Sequence, residues 1–322
     1  MVQRTCIAEA MLMDLSPKLP VKAYSSDGGA YYDCSPADLP MLSAASIGAA
    51  KLSLFAGGLA LPSYSDSAKV TYVLQGKGTC GLLPEATAEK LIPVKEGDVL
   101  ALPFGVLTGS TGIFTGFSTD TEFVARAWDL PQDAASTLVS TQPGVGIVKI
   151  KDGHRMTDPS DKDREGMKFI TDKVNPAPLD VDIKNGGRVV VLNTQNLPLV
   201  KEVGLGADLV RIDDHSMCSP GFSCDSAYQV TYIVRGSGRV QVVGIDGTRV
   251  LETRAEGGCL FIVPRFFVVS KIADDTGMEW FSIITRGGNI PGGAGDPPGT
   301  RPYGAGDVFN FHPRVHRVGG PA

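Results

Sequence analysis

A chain of 322 residues has room for two domains at ~100–200 residues each, and its 43% hydrophobic and 20% charged content is that of a globular protein with real cores. A formal charge of -5 leaves no basic surface for phosphate, so nucleic acid is not an expected partner. No stretch approaches the ~20 apolar residues of a membrane span, which excludes that class of helical membrane protein.

At the start, "MVQRTCIAEAMLMDLSPKLP", the apolar run is broken by Glu9 and Asp14, so no secretory leader is expected and the chain reads as cytoplasmic. The six cysteines (Cys6, Cys34, Cys80, Cys218, Cys224, Cys259) include no C-x-x-C pair, which argues against structural zinc and for free thiols. Local pairing of Cys218 with Cys224 is the less favoured option.

From residue 27 onward, short β-rich runs alternate with Gly, Pro and Asp turns, and the whole series recurs. "DGGAYYDCSPADLPML" matches "NGGRVVVLNTQNLPLV", "DSAKVTYVLQGKG" matches "DSAYQVTYIVRGSG", and "EGDVLALPFGV" matches "GGCLFIVPRFFVV". The offset runs only from 158 (Gly29 to Gly187) to 161 (Pro103 to Pro264), so two copies of one domain are expected. Runs such as "VTYIVRG" and "CLFIVP" have strand length and β-branched content, and "GIDGTRV" carries the Asp-Gly pair of a tight hairpin. Without crossover helices, many short strands close as antiparallel barrels or jelly rolls.

The copies are unequal. After Pro264 comes "RFFVVSKIADDTGMEWFSII", a full two-strand hairpin; after Pro103 comes only "FGVLTGSTGIF". The first barrel is therefore expected to lack its final hairpin, to carry unpaired edges and to be the less stable of the two. Between the copies, Phe123, Ala127 and Leu130 share one helical face, and Pro131 opens a second helix with Ala134, Leu138 and Val139. Residues 152–175 are charged and unpatterned, a linker. The tail from residue 286 holds ten Gly and six Pro and is expected to be disordered. The boundaries are thus 14–117 for the first barrel, 118–150 for the arm, 151–178 for the linker, 179–285 for the second barrel and 286–322 for the tail.

These residues carry a resemblance. The repeat with its turn prolines and glycines resembles the cupin superfamily, and the order of blocks resembles the two-barrel seed globulins of the legumin (11S) type. "GIFTGFSTDTEFVARAWDLPQDAASTLVSTQPGVGIVKI" is similar to the helical arm after the first legumin barrel, and "GGRVVVLNTQNLPLVKEVGLGADLVRI" to the start of the legumin basic chain. The resemblance implies an all-β fold of two cupin jelly-roll barrels with a helical arm between them. It implies a storage role as a nutrient reservoir, vacuolar in members that store, and self-association through the arms into trimers. The chain departs from the family in its leader, in the residues after Asn185-Gly186 at the processing junction, and in the second arm, which the Gly/Pro tail replaces; ring closure is thereby put in doubt.

Metal-binding cupins hold their ion with three histidines and a glutamate. Carried over position by position, the first barrel offers Ser63, Ser65, Lys69 and Thr108, and the second Gly221, Ser223, Gln229 and Val269. Neutral hydroxyls and a lysine do not offset the dehydration of a divalent ion, so no metal, cofactor or catalytic residue is expected. His154, His215, His312 and His316 form no ligand pattern: the last two are four apart, but Pro313 lies between them. Ser223 or Cys224 with His215 shares a loop without implying a nucleophile. The alternative to storage is a small organic ligand or sugar in the second barrel, with Phe222, Tyr232 and Phe261 as candidate cavity residues.

Overall fold

The computed structural model describes residues 12–63, 67–83, 90–103, 107–109, 125, 131–140, 146–150, 170–171, 181–192, 197, 200–222, 227–285 and 315–317. The first copy runs β1 (Val21–Ser26), β2 (Gly29–Cys34), α1 (Met41–Ala45), β3 (Ala49–Leu54), β4 (Gly58–Ala60), β5 (Pro62–Ser63), β6 (Lys69–Tyr72), β7 (Lys77–Leu83), β8 (Lys90–Lys95), β9 (Val99–Leu102) and β10 (Leu107–Gly109). Then come α2 (Gln132–Ser140), β11 (Ile147–Lys149) and β12 (Ile170–Thr171). The second copy runs β13 (Val181–Ile183), β14 (Gly187–Leu192), α3 (Val200–Val203), β15 (Leu205–Ile212), β16 (Ser216–Gly221), β17 (Gln229–Val243), β18 (Arg249–Glu256), β19 (Leu260–Val263) and β20 (Val268–Thr285), with β21 (Val315–Arg317) at the end. Among the described residues the fold is all-β apart from a few short helices.

The internal repeat is structural as well as sequential. Gly29 opens β2 opposite Leu54 of β3, and Gly187 opens β14 opposite Ile212 of β15. A side chain at either glycine would meet backbone: its Cβ would lie 2.2 Å from the Ser53 carbonyl oxygen at Gly29 and 2.3 Å from that of Arg211 at Gly187. The double glycine therefore marks the same close strand approach in both copies. The Asp-Gly turn also forms as its residues dictate: Asp246 accepts from the Thr248 amide at 2.9 Å, and Gly247 takes a positive φ of 84°.

In the second copy β17 and β20 are long strands that serve both halves of the barrel. Residues 268–273 of β20 pair with 238–243 of β17, and β20 also pairs with β16. Residues 278–285 then pair with β15 and with 229–236 of β17. The two halves are thus joined through one continuous sheet. Their inward faces pack Val210, Ile212, Ile233, Val240, Val242, Phe261 and Trp280, all buried, into the largest core.

Among the described residues the first copy shows no such join. Its strands divide into β1-β2-β3, β5-β10-β7-β8 and β12-β9-β6, and among the described residues no strand pairs the outer edge of β3 or joins it to β6. The consequence is visible residue by residue. Register places Leu52 and Leu54 where the second copy has Val210 and Ile212. The latter pair is fully buried, yet Leu52 and Leu54 are 44% and 43% exposed. The first copy's own core reduces to Leu82, Ile92, Leu100 and Leu102 with a few partners.

The copies hold each other by a reciprocal exchange. Lys18, ahead of the first copy, bridges Leu260 of β19 with two backbone hydrogen bonds of 2.9 and 2.8 Å. Ile170–Thr171, ahead of the second copy, pairs with Leu100 and Val99 of β9, the equivalent strand. Leu39, Met41 and Leu42 of the first copy join the second copy's core, while Leu197 and Val203 of the second join Val99 and Ala101 of the first. Tyr72 stacks on Phe281 across this boundary, with centroids 4.8 Å apart.

Three sequence expectations are corrected here. Ile170 and Thr171, read as linker, form a strand because β9 has a free edge to offer them. Residues 315–317 of the tail, read as disordered, pair with β16 in the register Ser216–Arg317, Met217–His316 and Cys218–Val315. This is the same edge that β11 covers on the first copy, where it pairs with β4. Helix α2 starts after Pro131, whose carbonyl accepts from Ala135 at 2.9 Å, but the buried residue is Ala135 rather than Ala134. The first helix of the arm, except Ala125, and most of the linker and tail, with His154 and His312, lie outside the described residues.

Candidate functional site

The interior of the second barrel is where a site belongs, since strand parity aims alternate residues of six strands at one volume. On β15, Asp208 shares its face with Val210 and Ile212. Cross-strand pairing sets it opposite Ser282 of β20, and Ser282 opposite Thr231 of β17. On the other half, Cys218 of β16 faces Lys271 of β20, and Gly221 faces Val269. A polar belt thus crosses an otherwise apolar barrel: Asp208, Ser282, Thr231, Gln229, Cys218 and Lys271, each at most 7% exposed.

Part of this belt is satisfied internally. The Gln229 side-chain amide donates to the Ser282 hydroxyl at 3.2 Å, and Ser282 and Thr231 hydroxyls lie 3.3 Å apart. The Asp208 carboxylate is not. Ser282 lies close enough to favour the ionised form of Asp208, but neither carboxylate oxygen completes a hydrogen bond. The Lys271 ammonium sits over the Trp280 ring at 4.5 Å and the Phe261 ring at 5.8 Å. Burial pushes the Asp208 carboxyl up to about 6, against the opposing pull of Lys271 and Ser282. Burial likewise lowers Lys271, against Cys218 and Asp208, and pushes the Cys218 thiol up to about 11.

The sequence-derived positions are distributed as follows. In the second barrel Gly221 and Val269 face each other, Gln229 is buried beside Ser282, and Ser223 lies outside the described residues. In the first barrel Ser63 of β5 pairs with Thr108 of β10, Lys69 is exposed, and Ser65 lies outside the described residues. Of the candidate cavity residues, only Phe261 lies in the barrel, fully buried beside Lys271. Phe222 is 50% exposed beyond the end of β16, so it lines no interior. Tyr232 points outward by parity, because Thr231 and Ile233 take the inward face, and it packs partly buried against the first copy's contribution to the core.

His215 is an exposed turn residue with positive φ, 3.5 Å from Asp275, and brings no base to the barrel. Cys34, Cys80, Cys218 and Cys259 are free thiols, and Cys224 lies outside the described residues. Among the described residues no group of three or more His, Cys, Asp or Glu converges on one point. Among the described residues the centre of the second barrel offers the Asp208 carboxylate and no imidazole, and the Lys271 charge opposes a divalent cation there. The donor set does not fit the metal centre of the cupin barrel.

Sequence reasoning passed over Asp208 and Lys271. Their signal was present: in "GADLVRI" and "VVSKIAD" a charge stands at the parity of buried apolar neighbours.

Comparison with known proteins places this geometry. A family model described as Cupin matches residues 15–130 and 175–291, one match per copy. An 11S globulin seed storage protein 2 of Sesamum indicum is 26% identical over 194 residues, covering 54% of this chain and 41% of that protein. An 11S globulin seed storage protein of Anacardium occidentale is 24% identical over 330 residues, covering 71% of this chain and 72% of that one. The crystal structure of procruciferin, an 11S globulin of Brassica napus, superimposes with a TM-score of 0.75 at 20% identity over 85% of this chain and 84% of that one.

Proposed function

The chain belongs to the cupin family as a two-barrel globulin of the legumin type, and from that premise we propose that it is a non-enzymatic storage globulin serving as a nutrient reservoir. The observation that carries this reading is the second barrel's set of family ligand positions: Gly221, Gln229 and Val269 supply neither imidazole nor carboxylate. Two copies interlocked through Lys18 and Ile170–Thr171 suit accumulation, because proteolysis needs locally opened backbone. Self-association through the arm belongs to the same reading.

Quantitative mass spectrometry on the source plant tests it, using peptides from β17 to β20 in developing, mature and germinating seed. Abundance is expected to climb during seed filling and to collapse on germination. A low, constant level across tissues overturns the storage role, and stoichiometric manganese, iron or zinc in the purified protein overturns the non-enzymatic one.

A further inference from the structure

Strand β3 ends the sheet β1-β2-β3 with its outer edge open. The Phe55 amide donates to the Gly28 carbonyl at 3.0 Å, on the β2 side. By antiparallel alternation, Ala50, Leu52 and Leu54 therefore aim their N–H and C=O groups away from β2. Among the described residues no strand takes them, whereas Val210 and Ile212, in the same register of β15, pair with Trp280 and Met278 of β20. The side chains of Ala50, Leu52 and Leu54 are exposed, on the face that carries the stacked Tyr24 and Tyr31 rings. An open edge with exposed apolar side chains is a template for another strand.

We infer that this edge is an interface between two molecules of this chain, joined by antiparallel pairing of β3 with β3 about a two-fold axis at Leu52. The strand's own residues select both the partner and the register. Centred there, Leu52 faces Leu52 and Ala50 faces Leu54, and each exchanges both of its open hydrogen bonds with its opposite. Lys51 then faces Ser53 of the other molecule, while its ammonium stays over its own Tyr32 ring at 5.5 Å. An axis at Lys51 instead sets that cation against itself and leaves Leu54 opposite Gly48, outside the strand. An axis at Ser53 leaves Ala50 opposite Ala56, again outside it. The far edge of the sheet is guarded, because β1 carries Lys22 and is bulged between Lys22 and Tyr24. Pairing therefore closes at two molecules rather than running on. The surface draws nothing from the helical arm.

Cysteine cross-linking in the full chain reads the register directly. Residues that exchange hydrogen bonds across an antiparallel pair lie about 5.5 Å apart between Cα atoms, within disulfide range. On mild oxidation, Leu52→Cys is expected to give a covalent dimer above the level of the parent chain. Ala50→Cys and Leu54→Cys are expected to give none separately, each lying far from its own counterpart, and a heterodimer when mixed. Sedimentation velocity from low to high micromolar concentration is the second measurement. The parent chain is expected to dimerise, and Leu52→Lys to weaken that step by at least about tenfold through like charges set face to face. Position 52 is exposed, so the thermal unfolding of Leu52→Lys is expected to match the parent's. A parent chain that stays monomeric, an assembly that Leu52→Lys leaves intact, or equal cross-linking of Leu52→Cys and Ala50→Cys overturns the proposal.

Discussion

Two barrels built on one repeat solve the same packing problem with different success, and β3 and β15 show why. Both end opposite the glycine that opens the preceding strand, in matching register. Strand β15 is flanked on its far side by β20 and buries Val210 and Ile212 completely. Strand β3 has no described neighbour there and leaves Leu52 and Leu54 nearly half exposed. The local sequence is equally apolar in the two places. What differs is a strand about 70 residues further along, β20, which has no counterpart beside β3 among the described residues, so burial of a side chain here is decided far from the side chain.

The sharpest way to break this comparison is to truncate equivalent residues. Ile212→Ala is expected to lower stability by about 2–5 kcal/mol in urea unfolding, and Leu54→Ala by less than about 1 kcal/mol. Amide exchange should agree, with β15 and residues 278–285 opening only globally and β3 opening locally. Equal costs and equal protection in both copies would show the first barrel to be closed by other means.

The next effect concerns the charge inside the second barrel. Because burial raises Asp208 to about 6 from 3.8, the folded state keeps a proton that the unfolded chain has lost. Its contribution to stability therefore falls as pH rises from about 4 to about 6 and stays low above that. Asp208→Asn is expected to remove this slope and to stabilise the protein by about 1–3 kcal/mol at pH 7, read from unfolding midpoints across pH. Lys271, lowered by burial, acts in the opposite direction on the alkaline side, where losing its proton relieves the core. A pH profile identical to that of the parent chain would mean that Asp208 is solvated after all.

The smallest effect belongs to the surface. Asp274 accepts from Arg254 at 2.9 Å and from Ser237 at 2.6 Å, with Arg254 largely in solvent and Ser237 half-buried. Asp274→Ala is expected to cost less than about 1 kcal/mol, and less still in high salt. A cost rivalling that of Ile212→Ala would shift the seat of the second barrel's stability from its core to its rim.

Much of the fold was legible beforehand. The near-constant offset between copies announced two barrels, the Asp-Gly pair its hairpin, and Pro131 the start of α2, because each is a local backbone preference. The shorter stretch after Pro103 than after Pro264 is a property of the sequence, read by aligning the chain with itself. The small strands were not: Ile170–Thr171 and Val315–Arg317 are too short to show a strand pattern of their own and form because β9 and β16 present free edges. The site was half legible. Counting residues at the family positions spoke against metal, while Asp208 and Lys271 needed strand parity before their charges became conspicuous.

The sequence by itself determined the repeat, the strand and turn vocabulary, and the chemistry missing from the ligand positions, since these depend on residue type and spacing alone. Tertiary structure alone decided that Lys18 and Ile170–Thr171 cross reciprocally between the copies, that Phe222 faces solvent, and that an ammonium and a carboxylate share one core unpaired. Those outcomes depend on which surfaces meet, and burial and electrostatics act on distances in space rather than along the chain.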